Sequence, residues 1–327
     1  MTTDIIELRD PAAYEIAESN PMRKIELVGR TCYNSLSRIT DISAEPFVRN
    51  LMERGHETPL ESARIIVTHG MVQERCSKHY NDVRRALAAL TMRDPDIMFD
   101  NDDYPLGRTA AIEDEDDGIF CPVAMNVRDL LHLVASASRD RDYAIEAVMQ
   151  MLKYADVRMP DDYATIRIET DRGIGNELVR HRVLAYEDDV ISAYTATADD
   201  MSMVQASTRY IKWREVPVPI MKPLPLPWEE YGDEQGIWLE ACRSAAKAYR
   251  DLIALGQTPQ YARNVLPLST ATTIVMTGTA DQWRAFLKLR LDYAAHPQMR
   301  YIAGLIRKLP SIVRLIPLGT LKTDEEN

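Results

Sequence analysis

The chain has 327 residues, 46% of them hydrophobic and 27% charged, with a formal net charge of −11. That is a globular composition, long enough for two ordinary domains or one elaborated one. Its pI near 5.1 works against general nucleic-acid binding, which needs a broad basic surface to displace counterions.

Taken in chain order, residues 1–62 read as largely helical. In "SAEPFVRNLMERG" the residues Phe47, Val48, Leu51 and Met52 recur at helical spacing, and Gly55 is a natural C-terminal stop. "ARIIVTHGMV", residues 63–72, has the β-branched density of a strand. Helical patterns return in "SKHYNDVRRALAAL" and in "RDYAIEAVMQMLKYA", where Ile145, Val148, Met149 and Leu152 form one stripe. The acidic, turn-rich stretch between them reads as a surface loop. "ATIRIETDRG", residues 164–173, alternates as a strand, and a helix packed on it is expected to begin at Glu177. The five prolines between Pro217 and Pro227 predict an extended connector across the surface. A long helix through Trp238, Cys242, Tyr249 and Leu252 follows, then a strand in "LSTATTIVMTG" and a helix from about 281 to 308. The pattern is α+β, without βαβ alternation, repeats or a glycine-rich phosphate loop.

No apolar run approaches the ~18 residues of a membrane span, and the N-terminus lacks a basic-then-apolar leader. Cys32, Cys76, Cys121 and Cys242 lie far apart with no CxxC pair. Reduced thiols in a cytoplasmic setting are therefore expected, with neither a disulfide frame nor a zinc site. In "GHETPLE" the position four after His56 is Leu60, so the HExxH zinc spacing is absent. No cysteine or serine sits in a recognisable nucleophile motif.

Against the acidic background, "ELVRHRVLAY" sets Arg180, His181 and Arg182 beside Glu177. A solvated helix face with local ion pairs and a site for a small anion both fit this run. Arg290 lies on a stripe with Trp283, Phe286 and Leu287, where an apolar residue belongs; it either snorkels outward or meets a polar ligand. Arg263 adds a further candidate just ahead of a strand.

"DRGIGNELVRHR", "STRY", "ARNVLPLSTAT" and "FLKLR", in this order and preceded by "CYNS" and "GHETPLE", resemble the flavin-dependent thymidylate synthase family. The resemblance spans roughly residues 20–72, 164–213 and 260–305. It implies one domain over 1–327, with helices packed on a central antiparallel-type sheet, a mostly helical inserted region at about 73–162 and an inserted loop at about 187–203. It also implies a homotetramer with shared active sites. The implied activity is C5-methylation of dUMP, with methylenetetrahydrofolate as carbon donor and NADPH reducing FAD. By the same resemblance, Arg290 polarises the uracil ring. Arg209 and Arg263 bind the nucleotide, Gln205 and Ser207 line its pocket, and Glu177 and Arg180 border it. Arg180, His181 and Arg182 are matched to the flavin, with His56, Thr58, Glu61, Gln205 and Thr279 as further flavin-site positions. No metal is implied.

Two departures stand out. An acidic stretch is inserted between the RHR signature and Arg209. Positions matched to flavin-binding residues read Thr279, Asp281 and Ala285, which removes an arginine. They leave open a dUMP enzyme, a relative that methylates UMP, and a non-catalytic flavin or nucleotide binder.

Overall fold

The computed structural model describes residues 4–93, 122–182, 201–209, 212–223, 233–317 and 319–320; of residues 91–93, 181 and 182 it describes the backbone only. The acidic stretch at 94–118, most of the loop at 187–203, Cys121, and the side chains of His181 and Arg182 lie outside the described residues.

Two long strands form the centre. β5 (Tyr163–Asp171) and β8 (Ala271–Thr279) pair antiparallel over nine positions, from Tyr163↔Thr279 to Asp171↔Ala271. β2 (Ala12–Glu15) and β6 (Ser202–Gln205) flank them, giving the order β2-β5-β8-β6 with every pairing antiparallel. The fold is thus α+β on an antiparallel sheet, as expected. Strand alternation divides the side chains between two faces. Ile166, Ile168, Ile274 and Met276 meet Trp283, Phe286 and Leu287 of α10 (Ala280–Arg290), Ile302 and Ile306 of α11 (Pro297–Arg307), and Ile312 of α12 (Pro310–Leu315). On the other face Val275 and Val204 pack with Ile16 and with Val28 of α1 (Pro21–Cys32).

A second core joins α1 and α2 (Ala44–Glu53) to α3 (His69–Arg75), α4 (Tyr80–Arg93), α5 (Val127–Ser138) and α6 (Arg141–Leu152). The strands β3 (Arg64–Val67) and β4 (Val123–Asn126) pair antiparallel within it. A third core packs α8 (Asp233–Ala254) and α9 (Pro259–Ala262) on the parallel pair of β1 (Ile6–Arg9) and β7 (Val218–Met221).

Four expectations are corrected. The first 62 residues contain β1 and β2, each only four residues long and stabilised by its pairing partner. The strand expected over 63–72 stops at Val67, because the Thr68 hydroxyl accepts from Met71 N and caps α3. Part of the proline-rich stretch is β7, with all four residues buried. Val218 N donates to Ile5 O at 2.9 Å and Met221 N to Ser269 O at 2.8 Å, so β7 is hydrogen-bonded on both sides of Pro219, which has no N–H of its own to satisfy. The helix expected over 281–308 is two helices. Pro297 cannot follow a helical residue easily, and His296, in an extended conformation, caps α11 instead.

Candidate functional site

The site begins where β5 ends. Asp171 accepts from Ile174 N at 2.8 Å and starts α7 (Arg172–Leu178), so the helix begins five residues earlier than the expected Glu177 and becomes a 3-10 turn over Val179–Arg182. Gly175 lets α7 lie close on the sheet. A Cβ there would come within 3.1 Å of Gln205 Nε2, 3.2 Å of Ile274 Cδ1 and 3.3 Å of Thr272 Cγ2.

That close approach carries Glu177 to the C-terminal end of α10. Arg290 Nη1 lies 3.5 Å from Glu177 Oε2, and Nη2 donates to Glu177 O at 3.3 Å. The Arg290 side chain is only 15% exposed, held in place by a helix whose Trp283 Nε1 is anchored to Ala164 O at 3.1 Å. Burial pulls the Arg290 pKa below its usual value, with Arg180 adding to the effect and Glu177 opposing it. The arginine on the apolar stripe therefore points into the site.

β6 delivers the next group. Gln205 Nε2 donates to Thr272 Oγ1 at 3.3 Å, and Ser207 N donates to Cys32 O at 3.0 Å. Cys32 Sγ in turn donates to Gln205 O at 3.2 Å. Burial pushes the Cys32 thiol up, partly offset by the charge of Arg209; this is no activated thiolate. Arg263 Nη1 donates to Thr208 Oγ1 at 3.2 Å, between Ser207 and Arg209. The structure also brings in Arg172, which the motifs did not single out. Its Nη1 is buried without a hydrogen-bond partner among the described residues, and burial together with the charge of Arg263 lowers its pKa. The only signal in the sequence was an arginine at a strand end, just ahead of a glycine.

The N-terminal motif residues occupy a neighbouring surface. His56 Nδ1 lies 3.1 Å from the Tyr33 hydroxyl, so adjacent residues Cys32 and Tyr33 touch both groups. Tyr33, Phe47, Asn50, Leu51, Arg54 and His56 line a cavity of about 310 Å³. A second, of about 550 Å³, shares Tyr33 and Phe47 and adds Arg30 and Arg38. Thr58 and Glu61 sit on the 3-10 turn Thr58–Ser62; Glu61 is buried and ion-paired with Arg128. Thr279 is set apart. It caps α10 in a capping box with Gln282, at the end opposite Arg290 and about 16 Å away along the helix axis. Asp281 pairs with Arg284, and Ala285 is exposed. Among the described residues no three His, Cys, Asp or Glu gather as metal ligands, and no helix is long and apolar enough to cross a membrane.

Residues 162–313 match the model of the thymidylate synthase complementing protein family. A flavin-dependent thymidylate synthase from Synechocystis sp. is 25% identical over 150 residues, 44% of this chain and 64% of that protein. Over this segment the chain is similar to the flavin-dependent thymidylate synthases. The enzyme of that name from Mycobacterium tuberculosis is 29% identical over 147 residues, which are 40% of this chain and half of the other. The chain thus spans between half and two thirds of the length of these two relatives. The matched segment holds Arg172, Glu177, Arg180, Gln205, Ser207, Arg209, Arg263, Thr279 and Arg290, while His56, Thr58 and Glu61 precede it. Among solved structures, thymidylate synthase X from Helicobacter pylori with FAD and dUMP aligns at a TM-score of 0.36 and 22% identity, over 49% of this chain and 73% of that one. The UMP/dUMP methylase PolB from Streptomyces cacaoi, bound with 5-Br dUMP, aligns at 0.39 and 16%, over 95% and 94%.

Proposed function

We propose that this flavin-dependent thymidylate synthase relative methylates C5 of a uridylate nucleotide, dUMP or UMP. The carbon comes from methylenetetrahydrofolate, and FAD reduced by NADPH supplies the hydride. The observation that carries the reading is Arg290, a largely buried guanidinium braced by Glu177, near a thiol, Cys32, that burial keeps protonated. Uracil C5 is a poor nucleophile. A fixed guanidinium against the ring edge stabilises negative charge as it builds on the ring, with no covalent help from a thiolate. Glu177 and Arg180 border the nucleotide, Gln205 and Ser207 line its pocket, and Arg209 and Arg263 take the phosphate.

The residues around His56 fit the flavin. The two neighbouring cavities offer the cations Arg38 and Arg54 for a pyrophosphate and the ring of Tyr33 for stacking, while Arg30 is held by Glu26 and stacks on Phe47. Thr58, His181 and Arg182 complete that set, while Glu61, ion-paired with Arg128, and Thr279, capping α10, stand outside it. The chain works as one domain with a helical insertion over 73–162, as a cytoplasmic homotetramer with shared sites, on a small nucleotide and not on nucleic acid.

The second reading, a non-catalytic flavin or nucleotide binder, draws support from Thr279, whose side chain is engaged as a helix cap, and from Asp281 in the arginine's place. Turnover of dUMP and UMP by the purified yellow protein, with methylenetetrahydrofolate and NADPH supplied, tests the proposal. Methylation of either supports it; protein that takes up no flavin, or holds flavin and methylates neither, overturns it.

A further inference from the structure

We infer that Arg172 is a phosphate-clamping residue, working with Arg263 on the dianionic monoester of the nucleotide; this rests on the uridylate reading above. Its backbone is the first observation. Arg172 N donates to Leu268 O at 2.9 Å and to Thr270 O at 3.2 Å, fastening the start of α7 to the segment that leads into β8. That segment grows directly out of the 3-10 turn Arg263–Val265. The two arginines therefore ride on chain pieces bonded to each other, and Arg263 extends the assembly to Thr208, next to Ser207 and Arg209.

Its guanidinium is the second observation. Whereas Arg290 has Glu177, Arg172 keeps Nη1 enclosed from solvent with no acceptor among the described residues. An arginine stays charged when buried, and a buried donor left unmade is costly. Arg263 lies near enough to depress its pKa. An orphan donor beside a like charge calls for an anion. A hydroxyl or a carbonyl edge would satisfy the hydrogen bond but leave the repulsion, while phosphate oxygens match the planar fork and neutralise both charges. The clamp thus belongs to the phosphate and not to the base or ribose.

The test compares wild type with Arg172→Gln and Arg172→Lys for binding of dUMP, UMP, deoxyuridine and uridine, with flavin content measured alongside. Loss of a charged hydrogen bond is expected to weaken nucleotide binding roughly 10- to 100-fold in the glutamine variant, and less in the lysine variant. Nucleoside binding and flavin content stay unchanged. Equal losses for nucleotide and nucleoside, or undiminished nucleotide binding, overturn the clamp. Titration with inorganic phosphate, read by thermal shift, separates the two proposals. Stabilisation of wild type but not of Arg172→Gln upholds the clamp even if neither uridylate binds. Uridylates that bind both proteins equally uphold the substrate and remove the clamp.

Discussion

The Cys32–Tyr33 step touches two groups of charged residues that are built differently. Around the Thr58–Ser62 turn, cations and carboxylates are matched. Glu57 meets His132 and Arg141, and Arg128 reaches both Glu57, at 3.6 Å, and Glu61. Burial alone would raise the Glu57 carboxyl, but the hydrogen bonds and charges of His132 and Arg141 bring it below its usual value. Beyond Cys32 the described residues are arranged differently. Among the described residues Glu177 pairs with Arg290, Arg172 keeps its Nη1 without an acceptor, and Asp171 spends its carboxylate on Ile174 N and Gln298. A matched network fastens α5 and α6 onto the turn and has nothing left to bind. On the reading proposed above, the second group is completed by the phosphate of the nucleotide.

The sharpest way to break this contrast is Arg290→Ala. If the second group serves the nucleotide, methyl transfer falls by ~100-fold or more in kcat while flavin stays bound. Steady-state turnover beside the flavin absorbance of the purified variant decides it, and near-normal turnover refutes the role. A smaller effect is expected in the matched group, on stability. Glu57→Gln costs about 2 kcal/mol, since its partners are half-exposed and partly rehydrate. Because the Glu57 carboxyl is depressed when folded, its contribution is present in full above its ordinary value of 4.5 and disappears on acidification below it. Denaturant midpoints should therefore differ at pH 7 and converge as the pH falls; a constant gap contradicts the pairing.

Asp129 sharpens the comparison from the other side. It is the surplus carboxylate of the matched group, pushed up to about 6 by burial and by Glu61, with Asn126 opposing. Its ionisation is disfavoured in the folded chain, so wild type loses stability as the pH rises from about 4 through 6. Asp129→Asn is expected to gain about 1 kcal/mol at pH 7 and nothing near pH 4. Thermal melts at the two pH values check the sign.

Much of this was legible in the residues themselves. The alternation of Ile166 and Ile168 revealed β5, and the stripe of Trp283, Phe286 and Leu287 revealed both α10 and the anomaly of Arg290. Ordered motifs brought Arg209, Arg263 and Glu177 forward. The four-residue strands β1 and β2 were not legible, since so short a run has no period of its own and is stabilised by a partner 150 or more residues away. Pro219 argued against β7 because its tolerance depends on which N–H groups the neighbouring chain needs. Arg172 stayed hidden for a similar reason: its isolation is a property of packing and not of spacing. Thr279 gave the opposite lesson, since a motif position matched to a cofactor is used locally to cap a helix.

The Cys32–Tyr33 step also acts as a ruler. Cys32 is tied to Gln205 and Tyr33 to His56, so the β6 end and the His56 segment are linked through one peptide unit, about 3.8 Å from Cα to Cα. Asn34, held at φ 49° directly after it, ends the ruler in a backbone state that few residues accept. An added residue here would slide the His56 segment past the end of β6 with every contacting side chain still in the chain.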